Sequence, residues 1–466
     1  MKKTVVLLLL ASVVCHAETI FLDNHPRVIN GLTTYDPETR TYSKGKYRVF
    51  TELDQAAQAL SEADMLYVRA GTYSRSSVGK YITVHGNKVN YWTGVLAINA
   101  SGKPQKRKLV SAYNGELVII QARPGVSNYN PDPADESFKN SSHYYPNAAI
   151  SIGGAYVDVV GFKTYGQVVI SGHDVMVEGC DLGGGGPHMN QGQVVVINSN
   201  SPGGVYNVVI RNNMIHHSCW GESGQNGAAL MGYNFSTVIE NNEFYDNYGA
   251  DIRLKDCGDQ RGRSTIVRYN FFRPTLLRPY GNHGVEGIGQ DGQIDRILIY
   301  NNIFYRKTIG IQWDGPALKG TVAYNNTFVD CKTDISQWFK NARVELSNNL
   351  YYHTEPGATF YKLVQHDEPQ LHNLFTNHNL FFSKTVDTAW YNVWRKRASK
   401  LSEWQSYSGK DRNSAMKDPQ IVNPAGNRPE DFKRKGSTEK IKDVVGSKYG
   451  QVCGAYVTGK ETIGTK

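Results

Sequence analysis

Five residues, Asp251-Ile252-Arg253-Leu254-Lys255, alternate charge with aliphatic bulk. Read as a strand, the alternation turns Ile252 and Leu254 inward and sets Asp251, Arg253 and Lys255 in one outward row. Such a row suits a reaction on an acidic sugar. Removing the C5 proton of a uronate needs a counter-charge for the C6 carboxylate, a base for the proton and an acid for the departing glycosidic oxygen. Arg253 matches a carboxylate in bidentate fashion. Lys255 is placed as the base, and Arg278, His283 or a nearby tyrosine as the acid. The plainer alternative is a charged ladder that only solvates a strand.

The residues that flank this row extend the candidate site. If coils of chain stack about 4.8 Å apart, the next coil brings His283, Glu286 and Gln290 alongside, and further coils present Met231, Gln312 and Asp314 outward. The preceding loop offers Trp220 and Glu222, with His216 and His217 close by as turn residues. Exposed rings stack on sugar faces, so Trp220 and Tyr280 join Arg253, Glu286 and Gln312 as substrate-binding residues, with Tyr233 and Tyr248 nearby. Trp313 alternates with Ile309 and Ile311 and is expected in the core. A glycoside hydrolase would instead pair Asp251 with Glu286, or Glu286 with Asp314. A uronan C5-epimerase shares the proton-removal step, and a non-enzymatic binding protein predicts a chemically plain groove.

The elements that must hold these residues form a repeat. The segments IRNNMI, IENNEF, VRYNFF, IYNNIF, AYNNTF, LSNNLY and TNHNLF align Asn213, Asn242, Asn270, Asn302, Asn326, Asn349 and Asn379, at gaps of 29, 28, 32, 24, 23 and 30 residues. Two residues after each comes Ile215, Phe244, Phe272, Phe304, Phe328, Tyr351 or Phe381. Phe162 and Cys180 hold the Asn position in two earlier turns. A period in this range marks a solenoid, in which short strands bury a core only by stacking. The expected fold is all-β, a right-handed parallel β-helix, with the Asn column as an internal hydrogen-bonded ladder at a bend that favours left-handed backbone. Residues 51–62 place Leu53, Ala56, Ala57 and Leu60 on one helical face, a cap for the open end. The reading divides the chain into a signal peptide at 1–17, a cap and first coils at 18–146, the site-bearing coils at 147–383, and an extension at 384–466 that contains a helix near Leu401–Tyr407 and packs on the solenoid.

Composition agrees with strands and turns: 46 Gly and 29 Tyr in 466 residues. The basic head, the apolar run from Val5 to Val14 and Ala17 read as a secretory leader, which places the mature chain in the periplasm or medium. The run is too short to span a bilayer, and no membrane partner is expected. Without Lys2 and Lys3 the formal charge falls from +9 to +7, which favours a polyanionic partner. In an exported protein that partner is an acidic polysaccharide rather than nucleic acid. The capped solenoid is expected to be a monomer. Cys180, Cys219, Cys257, Cys331 and Cys453 allow at most two disulfides and show no CxxC spacing.

The segment FTELDQAAQALSEADMLYVRAGTY and the Asn-bearing coils resemble the right-handed β-helix polysaccharide lyases of the alginate-lyase and chondroitinase-B group. One coil, NEFYDNYGADIRLKDCG with VRYNFF and LLRPYGNHG after it, resembles that group's site pattern. The resemblance implies β-elimination on an alginate-like uronan, with Lys255 as base, Arg278 as acid and a calcium ion held by acidic residues before the lysine, here Asp251. The chain departs from the pattern at Asp256, at 260–263, at Pro279-Tyr280, and in lacking paired glutamates before Lys255.

Overall fold

In the computed structural model, each Asn-x-aromatic repeat becomes one corner of a coil. Residues 17–42, 45–74, 82–84, 87–89, 94–122, 148–184, 193–198, 205–218, 228–233, 235–247, 249–255, 264–274, 286–291, 293–294, 296–314, 317–318, 320–337, 343–363, 371, 373–385, 389–393, 396–436 and 440–465 are described. Three sheets of 13, 12 and 12 strands form the walls. A typical coil supplies Phe235–Glu240 to the first sheet, Glu243–Tyr245 to the second and Ala250–Lys255 to the third. Strands pair in parallel with the next coil in each wall. The architecture is a parallel β-helix.

The ladder between the first and second sheets runs unbroken. Each Asn Nδ2 donates to the Oδ1 of the next Asn, at 3.1 Å from Asn213 to Asn242, 3.1 Å onward to Asn270 and 3.0 Å to Asn302. It continues through Asn326 and Asn349 to Asn379. The same oxygens accept a backbone N–H, so the buried turn is satisfied. Cys180, at the Asn position of an earlier turn, donates its backbone N–H to Asn213 Oδ1. The left-handed residue is the one before each ladder Asn: Asn212, Asn241, Tyr269, Asn301, Asn325, Asn348 and His378. Asparagine tolerates that region better than most residues.

Inside the second sheet the rings form a stack, with centroids 5.1 Å apart from Phe244 to Phe272, 4.6 Å to Phe304 and 4.8 Å to Phe328. Each buried side chain of this kind contributes roughly 1.5–3 kcal/mol. The sheet is apolar on its outer side too, at Phe271, Ile303, Tyr305, Val329, Leu350 and Leu380. The C-terminal extension explains that: Ile421, Phe432, Val444, Ala455, Tyr456 and Ile463 cover it. Asn301, Asn325 and Asn348, the left-handed residues, donate to the Ala455, Val452 and Gly450 carbonyls and pin the extension down.

The ends are closed by different devices. At one, the helix Leu53–Ala59 buries Leu53, Ala56 and Ala57, with Leu60 behind, into the main core. At the other, the helix Leu401–Ser408 stops at left-handed Gly409. Its Trp404 donates Nε1–H to Asp411, which also accepts from Asn379 Nδ2 and terminates the ladder.

Candidate functional site

The third sheet decides which side chains of the Asp251–Lys255 row reach the outside. Ile252 and Leu254 enter the core. Arg253 and Lys255 stand on the outer face, in register with Met231 and Tyr233 on one side and Gly289 and Asp291 on the other. The Lys255 ammonium lies 5.9 Å from the Tyr233 ring centroid.

Asp251 departs from the expected row. Strict alternation fails at the turn that feeds this strand, and Asp251 is fully buried. It forms an ion pair with Lys307 Nζ at 2.7 Å and accepts from Asn247 Nδ2 at 3.1 Å. Burial raises its carboxyl above the ordinary range, against the pull of Lys307. The calcium role expected for it does not fit: its charge is matched by a lysine inside the wall. Among the described residues, no group of three or more His, Cys, Asp or Glu gathers as a cation site.

Arg253 is 4% exposed and holds two acids from the following coils. Its terminal nitrogen lies 3.2 Å from Glu286 Oε2 and 3.4 Å from Asp314 Oδ2. Gln312 donates to Asp314 Oδ2 at 2.7 Å. Gly289 leaves the room for this network. A Cβ there would stand 2.4 Å from Glu286 Oε2 and 3.2 Å from Arg253 Nε. Arg253, Glu286 and Gln312, expected as separate substrate contacts, are thus one cross-coil unit.

Gln290 is corrected: it pairs with Leu254 and Trp313 in an inward column and is fully buried. One residue of offset moves a strand side chain to the opposite face. Trp313 is buried as expected. His216 and His217 lie on the second wall rather than beside Lys255. There His216 Nε2 meets Asp181 Oδ1 at 2.6 Å and its ring stacks on Tyr245. Arg278, His283, Trp220, Tyr280, Tyr248 and Glu222 lie outside the described residues.

Lys307 was not among the expected site residues. Its signal was present: it follows Tyr305 by two residues, the offset at which Asn247 follows Tyr245. Of the expected thiols, Cys180, Cys331 and Cys453 are free and buried.

No family model matches the sequence, and no curated protein matches it. Solved structures do. Pectate lyase Pel9A is 12% identical, with 94% of this chain and 96% of that one covered, at a TM-score of 0.53. A rhamnogalacturonan lyase is 14% identical over 75% and 85% of the two chains, at 0.47. A family 6 alginate lyase, AlyGC, is 10% identical over 73% and 52%, at 0.35. The likeness to Pel9A extends over nearly the whole of both chains and is a likeness of fold.

Proposed function

We propose that this chain is a polysaccharide lyase that cleaves a uronate-containing polysaccharide by β-elimination, with an alginate-like polymer as the first substrate to test. The observation that carries the reading is Lys255 on the outer face of the third sheet, next to Tyr233 and two residues from a fixed arginine–carboxylate network. The Pel9A fold, borne by a protein named as a pectate lyase, supports it. The leader read at 1–17 would bring such an enzyme to polymers outside the cell.

In this mechanism Lys255, in its neutral form, removes the C5 proton. Arg253, Glu286 and Asp314 together carry a formal charge of −1, so Arg253 is a positioning residue and cannot by itself offset the uronate carboxylate. That counter-charge is left to a further cationic group, and protonation of the leaving oxygen to Arg278, His283 or a nearby tyrosine. No step runs through calcium. A hydrolase would use Glu286 and Asp314 as its acid and base. Both accept from one guanidinium nitrogen, an arrangement that binds two carboxylates, whereas hydrolysis needs one of them protonated.

Incubation of the mature protein with alginate, polygalacturonate, chondroitin and neutral glycans tests the proposal. The expected signal is ultraviolet absorbance of the unsaturated product. New reducing ends without it would mean hydrolysis, and altered C5 configuration without cleavage would mean epimerisation. Lys255→Met should lower turnover by roughly 10³-fold while polymer binding and the melting temperature hold. Full turnover in that variant would remove lysine from the mechanism.

A further inference from the structure

A second basic surface lies on a different wall. Along the first sheet the outward column runs Leu298, Val322, Glu345, Phe375 from coil to coil. At its lower end the extension folds alongside and leaves a groove of about 1130 Å3, lined among others by Val322, Phe375, Asn377 and Asn413. Five cations border it: Arg296, Arg343, Lys410, Arg412 and Lys448. Two carboxylates oppose them. Glu345 is paired with Lys448 at 2.8 Å, and Asp411 is buried and accepts from Thr376, Asn379, Trp404 and Ser414. Among the described residues, Arg296, Arg343 and Arg412 form no ion pair. The surplus is three positive charges in one open channel.

The floor has the other half of a sugar site. Phe375 is 44% exposed, unusual for a phenylalanine in a repeat that buries its rings elsewhere. Arg343 and Lys410 lie over its ring at 5.0 and 5.5 Å from the centroid. A half-exposed ring beside two cations offers apolar surface to a sugar ring and positive charge to its carboxylates. Asn377 and Asn413 add amide groups for hydroxyls.

We propose that this groove is an ancillary binding site for a stretch of polyuronate, separate from the third-sheet site and tethering the polymer while the other wall acts on it. The choice of a uronan rests on the proposed function. The charge and ring geometry do not. Binding by fixed cations weakens with added salt.

The test uses the mature chain and titrates alginate and polygalacturonate, with a neutral galactan as control, by calorimetry at low salt. The expected result is uronan affinity roughly tenfold weaker in Arg343→Gln/Lys410→Gln, a loss of about 1.4 kcal/mol, with the melting temperature unchanged. Phe375→Ser should weaken it in the same direction, and Arg343→Lys/Lys410→Arg should largely restore it. Parent-like affinity in the Gln pair, equal retention of the galactan, or no uronan binding by the parent would each overturn the groove. If the parent binds uronan but cleaves none, the lyase reading falls and the groove stands.

Discussion

The two turns that flank the second sheet share a backbone and differ in what they bury. Each places a left-handed residue before an inward one. In the first turn the inward residue is Asn in seven successive coils. In the second it is Ser218, Asn247, Lys307 and Cys331, each preceded by left-handed His217, Asp246, Arg306 or Asp330. A carboxamide carries both donor and acceptor, so one Asn satisfies the next and the column propagates without limit. A carboxylate only accepts. When Asp251 and Asp334 enter the wall near the second turn, each requires its own cation or donor, Lys307 for one and His353 at 2.8 Å for the other. Uniform columns build length, whereas the mixed one permits a strand whose outer face is chemically individual.

The largest effect should come from breaking the charged turn. Lys307→Met strands the Asp251 carboxylate and is expected to cost about 3–5 kcal/mol, read by chemical denaturation. Asp251→Asn added to it should recover most of that loss. A single variant as stable as the parent would show that the pair contributes nothing and erase the contrast between the turns.

Next comes the neutral column. Asn302→Asp keeps the shape but replaces a donor by an acceptor between Asn270 and Asn326, and should cost about 3 kcal/mol. Equal stability would mean that the ladder works by shape alone.

The smallest effect concerns the left-handed position. Burial, with neighbouring His216, holds the His217 imidazole down at about 4, from an ordinary 6.5. The folded state therefore resists a proton that the unfolded chain accepts. The stability this contributes is complete above about 6.5 and is lost as pH falls toward about 4. His217→Asn keeps a residue suited to left-handed backbone and removes the titration. Its loss of stability between pH 7 and 5 should be smaller than the parent's by on the order of 1 kcal/mol, partial exposure having been discounted. An identical pH dependence would place the acid sensitivity elsewhere.

Much of the frame was legible because it repeats. The period, the Asn column, the Phe244-to-Phe381 stack and the capping face of Leu53, Ala56, Ala57 and Leu60 are each written as spacings, and local spacing is what stacking reads. Phe162 and Cys180 were legible as substitutions within the pattern. The site was legible only in part. Ile252, Arg253, Leu254 and Lys255 follow strand alternation, but Asp251 sits where the turn breaks it, and Gln290 sits one residue from its expected face. The partners of Asp251 and Arg253, Lys307 and Asp314, come from coils about 60 residues onward.

By itself, then, the sequence determined a solenoid with an amide spine and an aromatic stack, and it marked the strand on which Lys255 stands. Only the tertiary structure decided that Asp251 pays its charge to Lys307 inside the wall, that Arg253 is tied to Glu286 and Asp314, and that the C-terminal extension leaves a basic channel beside Phe375. The physical reason is that periodic contacts join each residue to its equivalent one coil away, whereas a single charge takes its partner from whichever coil can reach it.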